Sequence, residues 1–330
     1  MEKVKVCLVG CGWTGANHFN GYRAIPEKAE VIAVVARSDE SRAKVEGWGV
    51  PKIYRSFDEA LKDDEIDAVD ICTPHYLHAE MLIGALEAGK HAIGETPACV
   101  TRAECEQLRI ELWKHPDLKA ATGHICRSWP TYAQAKRITS EGKIGGVFYL
   151  SSNYAHKPDP DEYPSARTWG RTPYARTRLG ISYHSVDLLR WIAGDVDEVY
   201  GDYTPHARLA ILNFKNGAMG KVFSSGAVVR PYIMSLSVYG DEGTIICWWE
   251  EDILHGHLHK SAEWTPESLE TTPMHGRGSP EWQYEMENFV TSILEDKRPV
   301  CPLSEGIKTV ETCLAIDEAM TYGIKVRVRH

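Results

Sequence analysis

The stretch VGCGWTG, residues 9–15, constrains the fold more than any other part of the chain. Three glycines follow an apolar run here and precede a helical pattern. In a strand–turn–helix unit, Gly10 makes the tight turn, Gly12 lets the backbone approach a pyrophosphate, and Gly15 allows helix and strand to pack closely. The spacing therefore predicts a dinucleotide held at a helix N-terminus by Gly10, Gly12, Trp13, Thr14 and Gly15.

Residues 1–126 alternate between short apolar strand patterns and helical periods. The strand patterns are almost continuously apolar, and they end at glycine, Thr-Pro or polar turns. Such strands, connected by helices, are typical of a buried parallel sheet in a doubly wound α/β fold. We therefore predict an N-terminal dinucleotide-binding Rossmann domain over residues 1–126.

Residues 127–330 show a different pattern, in which helical periods precede and follow a series of strands. KNGA, residues 215–218, joins two of these strands, and Asn-Gly is typical of a tight β-hairpin turn. We predict an α+β domain with an open, mainly antiparallel sheet that binds substrate. IICWW, residues 245–249, leaves apolar area to bury, so we expect a homodimer or homotetramer formed through this sheet.

Composition excludes several classes of partner. The net charge is -9 and there is no long basic run, which argues against nucleic acid and against anionic membrane surfaces. No apolar stretch approaches the ~20 residues that span a bilayer, and the N-terminus lacks a secretory cleavage pattern. The nine cysteines are scattered and odd in number, which is typical of reduced thiols, so we expect a cytoplasmic protein.

The end of the second predicted strand bears on which cofactor is bound. NAD-binding domains usually carry an acidic residue about 20 residues after the glycine turn, where it contacts the ribose. In this chain Arg37 and Ser38 occupy that point. A guanidinium can pair with a 2′-phosphate and a hydroxyl can donate to it, so we predict a preference for NADP(H). The alternative is a solvated Arg37 with NAD or dual binding.

Several further segments occur in the order of a known family. They are residues 70–98 (DICTPHYLHAEMLIGALEAGKHAIGETPA), 140–150 (SEGKIGGVFYL), 183–194 (YHSVDLLRWIAG) and 239–245 (YGDEGTI). With these segments the chain resembles the Gfo/Idh/MocA family of NAD(P)-dependent oxidoreductases over nearly its whole length. The resemblance implies a Rossmann domain followed by an α/β domain with an open sheet. It also implies redox chemistry at a hydroxyl or carbonyl of a sugar, cyclitol or related small polar molecule.

The resemblance implies roles for individual residues. Residues 73–78 follow the fourth strand, where the family contacts the ribose and nicotinamide side of the cofactor, although His78 could equally be a packed histidine. Residues 95–97 fall on the family's Glu-Lys-Pro motif, and His184 falls on its active-site histidine. The cofactor contacts expected from this match are Thr73, Pro74, His75, His78, Glu95 and Thr96. The catalytic residues expected are His184, Thr96 and the neighbouring Tyr183.

The sequence departs from the family pattern at two catalytic positions. The family's lysine is Thr96 in this chain, and the aspartate often found four residues before the histidine is Gly180. Thr96 can hydrogen-bond, but it carries no charge and its hydroxyl cannot act as a base near neutral pH. His184 is left as the proton acceptor for hydride transfer, because an ordinary histidine titrates near pH 6.5.

Candidate substrate contacts lie between residues 154 and 187. The loop SARTWGRTPYARTRLG, residues 165–180, combines guanidinium groups with aromatic rings, which suits a sugar ring bearing an acid or phosphate. A solvated loop is the alternative reading. Lys157 would supply the missing ammonium group from another direction, or it lies on the surface. The predicted contacts are Tyr154, Lys157, Trp169, Arg171, Tyr174, Arg178 and Asp187.

Three histidines alternate along residues 253–260 (ILHGHLHK). On a strand, His255, His257 and His259 would share one face, an arrangement that can bind zinc. With no cysteine nearby, an exposed strand or an interface is the favoured interpretation, and we predict no metal site.

Two other functions stay open at this point. Some relatives of the family keep NAD bound and cleave glycosidic bonds by transient oxidation, and these too can lack the lysine. ETPACVTRAEC, residues 95–105, suits such a divergent branch. The loss of the lysine and the aspartate also fits a non-catalytic protein that binds cofactor and ligand and regulates a partner.

Overall fold

The computed structural model describes residues 3–157, 183–229, 232–260, 265–273 and 281–330. The chain divides into two compact units. The first comprises Met1–Ile125 and Gly278–Ile307, and the second comprises Cys126–Arg277 and Lys308–His330. The chain first passes from the first unit to the second after Ile125, beside the domain boundary predicted at residue 126. The return of residues 278–307 to the first unit was not indicated by the sequence.

The first unit contains a six-stranded sheet in the order β3-β2-β1-β4-β5-β6. Its strands are β1 (Val4–Val9), β2 (Ala29–Val35), β3 (Lys52–Tyr54), β4 (Ala68–Ile71), β5 (His91–Gly94) and β6 (Ala120–Thr122). Every pairing is parallel, which confirms the predicted doubly wound fold. The strand order reverses between β1 and β4, and folds of this kind bind nucleotides at that crevice.

The helices of the described segments alternate with these strands and then flank a second sheet. They are α1 (Trp13–Arg23), α2 (Asp39–Glu46), α3 (Phe57–Leu61), α4 (His78–Glu87), α5 (Arg102–Lys114), α6 (Pro130–Ser140), α7 (Tyr183–Ala193), α8 (Glu281–Leu294) and α9 (Leu303–Tyr322). Ser38, Ser56 and Thr101 begin α2, α3 and α5 with capping boxes. In each box the side-chain oxygen satisfies a backbone N–H of the first turn, which fixes where the helix starts.

The returning helix α8 packs directly on α1. Gly21 makes this approach possible, because a Cβ there would lie 2.9 Å from Met286 and 3.0 Å from the carbonyl oxygen of Trp282. Met286 and Phe289 join Tyr22 in one buried apolar cluster. The close contact places Glu285 of α8 at 3.9 Å from the ring of His18 on α1.

The second unit contains a ten-stranded sheet in the order β14-β13-β12-β11-β7-β10-β9-β8-β16, with β15 paired to β13. The strands are β7 (Val147–Ala155), β8 (Val196–Tyr203), β9 (Arg208–Phe214), β10 (Met219–Ser225), β11 (Ile233–Gly240), β12 (Gly243–Glu250), β13 (Ile253–Lys260), β14 (Glu267–Ser268), β15 (Thr272–Pro273) and β16 (Val326–Arg327). Among the described strands of this second sheet only β7 and β10 pair in parallel, so the sheet is mixed and mainly antiparallel, as predicted.

Side chains alternate between the two faces of this second sheet. Leu212, Leu236 and Cys247 are fully buried on one face, whereas Leu209 and Ile211 are exposed on the other. The predicted Asn-Gly turn joins β9 to β10, and Gly217 has a φ of 90°, in the left-handed region that favours glycine. No described helix has both the length and the apolar character needed to cross a membrane.

Candidate functional site

The glycine turn has the close contacts that its spacing predicts. Gly10 has a φ of 98°, and a Cβ there would lie 2.8 Å from the carbonyl oxygen of Cys72. A Cβ on Gly15 would lie 2.1 Å from the carbonyl oxygen of Gly10, so neither position tolerates a side chain. A Cβ on Gly12, in contrast, would meet nothing within 4 Å. The backbone at Gly12 therefore borders open space of the kind that a pyrophosphate needs.

The N-terminus of α1 is suited to an anion. In the described structure of α1, Gly12 is the N-cap, no side chain caps the helix, and the first turn holds no acidic residue. The positive end of the helix dipole thus keeps its full attraction for a negative group. Together with the open space at Gly12, the residues of this turn fit a dinucleotide.

The segment after β2 carries Arg37 and Ser38, and the guanidinium of Arg55 contacts its backbone. Arg37 and Ser38 are both exposed at this end. Arg55 donates to the carbonyl oxygen of Arg37 at 3.4 Å and pairs with Asp39 at 2.6 Å. Ser38 is committed to its cap, since its hydroxyl accepts from the backbone of Ser41 and donates to that residue's hydroxyl, both at 3.1 Å. The side chain of Arg37 is thus exposed, whereas the hydroxyl of Ser38 is taken up by the helix cap.

His78 connects the loops that follow β4 and β5. It is buried, and its two ring nitrogens lie 2.8 Å from the carbonyl oxygen of Pro97 and 2.7 Å from that of Thr73. These contacts correspond to the packed histidine that the sequence left as an alternative. The neighbouring His75 remains half-buried, and burial lowers its pKa to about 4, so its ring is neutral at pH 7.

Glu95 has a contact that the sequence did not predict. One carboxylate oxygen accepts the backbone N–H of Thr96 at 2.8 Å, and the other lies 3.2 Å from Nε2 of His18. Nδ1 of His18 lies 2.8 Å from Asp70 and 3.3 Å from the sulfur of Cys72. Glu285 of α8 lies 3.9 Å from Nε2 of the same ring. We call His18, Asp70, Cys72, Glu95 and Glu285 the His18 cluster.

The His18 cluster was missed by sequence reasoning, although two signals were present. Asp70 is a charged residue within the apolar strand AVDI, and buried charges need partners. His18 follows Gly15 by three residues, so it lies one helical turn further along α1. Its partners Glu95 and Glu285 could not be inferred, because they come from distant parts of the chain.

Charges in the His18 cluster are set by burial and by each other. Burial opposes protonation of His18, yet the carboxylate of Asp70 raises its pKa well above the ordinary value. Burial and the neighbouring Glu95 together raise the pKa of Glu285 well above that of an ordinary glutamate. Burial raises the pKa of Glu281, the first residue of α8, to about 7. Both shifts favour the protonated form, of His18 against an ordinary histidine and of Glu285 against an ordinary glutamate.

His184 lies at the start of α7 in the second unit, half-buried beside a group of aromatic rings. Its ring centroid is 5.7 Å from that of Tyr154, in an edge-to-face arrangement. The hydroxyls of Tyr154 and Tyr232 are hydrogen-bonded at 2.9 Å, and His156 stacks on Tyr232 at 4.6 Å. Trp249 lies 4.9 Å from Tyr232. These five residues form the aromatic cluster, of which the sequence indicated only His184 and Tyr154.

Asp187, predicted to bind substrate, makes internal contacts. It is fully buried, and its two carboxylate oxygens accept from Nε and Nη2 of Arg127, both at 2.7 Å. Thr309 donates to the same carboxylate at 3.0 Å. These contacts favour a role in holding α7, which carries His184. Tyr183 is buried at the start of the same helix.

The remaining residues predicted to bind substrate are exposed or lie outside the described residues. Lys157 is exposed, and its backbone N–H donates to the carbonyl oxygen of Val228 at 2.6 Å. Trp169, Arg171, Tyr174 and Arg178 lie outside the described residues, as does Gly180. The ring of Trp248 on β12 stacks on His255 of β13 at 5.4 Å and meets His257 edge-on at 4.8 Å. The alternating histidines therefore belong to an aromatic row.

Both units match models of a single family. Residues 4–120 match the oxidoreductase family with an NAD-binding Rossmann fold, and residues 132–246 match the GFO/IDH/MocA C-terminal domain. The chain belongs to the Gfo/Idh/MocA family. Its members of this kind are oxidoreductases that bind NAD, which confirms the family expected from residues 70–98 and the segments after them.

Curated relatives within the Gfo/Idh/MocA family are distant in sequence. An uncharacterized oxidoreductase, YrbE of Bacillus subtilis, is 24% identical and covers 100% of this chain and 98% of its own length. Myo-inositol 2-dehydrogenase of Thermotoga maritima is 26% identical, with 73% of this chain and 74% of the relative covered. Levoglucosan dehydrogenase of Pseudarthrobacter phenanthrenivorans is 26% identical, with 76% and 75% covered.

Solved structures share the fold over the whole chain. A levoglucosan dehydrogenase in complex with NADH and levoglucosan has a TM-score of 0.88 at 23% identity, covering 99% of this chain and 100% of that one. Myo-inositol 2-dehydrogenase of Lactobacillus plantarum has a TM-score of 0.84 at 19% identity, with 99% and 100% covered. At these identities the likeness establishes the Gfo/Idh/MocA fold alone.

Proposed function

We propose that the protein is an NAD(P)-dependent oxidoreductase that interconverts a hydroxyl and a carbonyl of a sugar, a cyclitol or a related small polar molecule. The observation that carries this proposal is the position of His184 within the aromatic cluster. The glycine turn, which fits a dinucleotide, supports it. Relatives named as dehydrogenases of inositol and levoglucosan support the choice of substrate class.

The chemistry needs one hydride acceptor and one proton acceptor. A nicotinamide cofactor, when bound, would accept the hydride, and His184 would take the proton of the hydroxyl as it is oxidised. Neutral imidazole is a suitable base because its ordinary pKa is near the working pH. Loss of the family's lysine leaves Thr96 to hydrogen-bond without charge, so His184 carries the proton transfer alone.

The aromatic cluster suits a polyhydroxylated ring. The half-buried rings of Tyr154 and Trp249 offer apolar surface to the C–H groups of such a ring, while the hydroxyls of Tyr154 and Tyr232 offer hydrogen bonds. A small number of polar groups at fixed positions is enough to orient a small substrate. The direct test is whether the purified protein reduces NADP⁺ or NAD⁺ in proportion to product when it is given sugars and cyclitols.

We also propose that NADP(H) is preferred over NAD(H), and the exposed Arg37 at the end of β2 supports this preference. Arg37→Ala is expected to weaken NADPH binding about tenfold or more, the worth of a charge-assisted contact to a phosphate, while NADH binding stays within twofold. Titration by tryptophan fluorescence measures both dissociation constants. Lys44→Ala, on the exposed face of α2, is the matched control for loss of one positive charge. Tighter binding of NADH than of NADPH by the wild type would contradict the proposal.

The open face of the second sheet is the proposed surface for a homodimer or homotetramer. Leu209, Ile211 and Met219 are exposed on its neighbouring strands β9 and β10. A contiguous apolar surface of this kind favours burial against a second copy. We expect sedimentation at micromolar concentration to give at least twice the chain mass. Replacing Ile211 with aspartate is expected to give the mass of one chain, and a monomeric wild type would contradict the proposal.

A further inference from the structure

The side chain of His78 joins two loops at the carboxyl edge of the parallel sheet. β4 and β5 are neighbours in that sheet, and the chain leaves them in separate loops, residues 72–77 and 95–101. Nε2 of His78 lies 2.7 Å from the carbonyl oxygen of Thr73 in the first loop, and Nδ1 lies 2.8 Å from that of Pro97 in the second. Ligands of doubly wound folds lie outside this edge of the sheet, so the ring links two loops on the cofactor's side of the unit.

The hydrogen bonds of His78 determine how many protons its ring carries. A carbonyl oxygen can only accept a hydrogen bond, so each ring nitrogen that bonds to one must donate, and a neutral imidazole has a single N–H. His78 is 1% exposed, so a nitrogen without its proton would face a carbonyl oxygen away from solvent, which costs free energy. Both hydrogen bonds therefore exist together only when each nitrogen carries a proton and the ring carries one positive charge.

Titratable groups lie around His78 on the neighbouring elements. Burial lowers the pKa of His75, in the turn before α4, to about 4, and the charge of His78 acts in the same direction. Asp70 of β4 and Glu95 after β5 both contact His18. Others are a helix-capping carboxylate, two thiols in mutual contact and three exposed carboxylates: Glu104, Cys99, Cys105, Asp58, Glu59 and Glu80. None of these described groups hydrogen-bonds to the ring of His78, whose partners are the two carbonyl oxygens.

We propose that His78 is a positioning residue for the nicotinamide cofactor, and that cofactor binding requires its ring to be protonated on both nitrogens. The inference rests on the proposed nicotinamide-dependent function. Thr73 and Thr96, one in each loop, are expected cofactor contacts, and a neutral ring would hold only one of the two loops in place. Because the cofactor-bound state takes the protonated ring, affinity for the cofactor is highest at low pH and is lost as the pH rises.

The experiment measures the dissociation constant of NADH by tryptophan fluorescence between about pH 6.5 and pH 9.5. NADH is used because it lacks the 2′-phosphate, a group that itself titrates near about pH 6. Wild-type affinity is expected to fall about tenfold over this range, the worth of one charge-assisted hydrogen bond.

Two variants show whether this proton belongs to His78. His78→Gln has one amide nitrogen, which can reach only one of the two carbonyl oxygens. It is expected to bind NADH about tenfold more weakly than the wild type at pH 6.5, with an affinity that changes less than twofold with pH. The matched control is His115→Gln, which replaces a partly exposed histidine at the end of α5 in the same unit and is expected to keep the wild-type profile.

The outcomes separate the inference from the function on which it rests. If wild-type affinity stays within twofold over the whole pH range, the inference is overturned, whether or not the variants fold, while the cofactor function stands. A pH dependence that persists in His78→Gln also overturns it, because the proton would then belong to another group. His78→Asn repeats the comparison if circular dichroism shows that His78→Gln is unfolded. Failure of the wild type to bind NADH and NADPH at every pH would refute the proposed function itself.

Discussion

His184→Ala is expected to lower kcat about 10²- to 10⁴-fold on any substrate that the wild type turns over, because a positioned general base contributes that much to proton transfer. Dissociation constants for NADP⁺ and NADPH should stay within about twofold, because the glycine turn belongs to the first unit and His184 to the second. The measurement is steady-state cofactor reduction, with cofactor binding measured separately by fluorescence. A general base also predicts that added imidazole restores part of the rate.

The matched control for His184 is His206→Ala, which removes an exposed histidine from the same unit. It is expected to leave kcat unchanged. If His184→Ala kept full turnover over a broad panel of substrates, His184 would not be the proton acceptor. A rate loss without any rescue by imidazole, together with a lowered melting temperature, would assign His184 a structural role.

Arg127→Met is expected to lower the free energy of unfolding by about 3–5 kcal/mol, the largest stability effect expected in the second unit. The guanidinium forms a two-point pair with Asp187 in a fully buried setting, and its removal leaves a carboxylate without its counter-charge. Urea unfolding at pH 7 measures the change. Because α7 carries His184, folded Arg127→Met protein is also expected to show a reduced kcat.

A double variant separates the charge of Asp187 from its packing. Arg127→Met combined with Asp187→Asn removes both charges, and the pair is expected to be less destabilised than Arg127→Met alone. Lys297→Met breaks an exposed pair with Glu295 and is expected to change stability by less than ~1 kcal/mol. If Arg127→Met and Lys297→Met lowered the free energy of unfolding equally, burial would not determine how much the Arg127–Asp187 pair stabilises the protein.

Local patterns predicted the parts of this fold that depend on neighbouring residues. The spacing of Gly10, Gly12 and Gly15 predicted a turn whose crowding and open side are both observed. The Asn-Gly pair predicted the turn between β9 and β10, because Gly217 readily takes the positive φ that the turn requires. The apolar strands of residues 1–126 predicted a parallel sheet, since strands covered on both faces lack polar alternation.

Contacts between distant residues were not predictable in the same way. The helical period of α8 indicates an amphipathic helix, but it does not say that α8 packs on α1. The sequence identified Asp187 by its place one turn after His184, yet its partner Arg127 follows from the fold. His78 was left between cofactor contact and packing, and the choice depends on two carbonyl oxygens from separate loops. Side-chain partners of this kind depend on tertiary structure.

The most direct test of the proposed function follows the hydrogen that is transferred. The protein is incubated with oxidised cofactor and a sugar or cyclitol that carries deuterium on the carbon bearing the reacting hydroxyl. We expect one deuterium in each reduced nicotinamide and one carbonyl product per reduced cofactor, measured by mass spectrometry. Release of an aglycone from a glycoside without net cofactor reduction would contradict a simple oxidoreductase and favour glycoside cleavage. Cofactor binding without turnover across the panel would favour a regulatory binding protein.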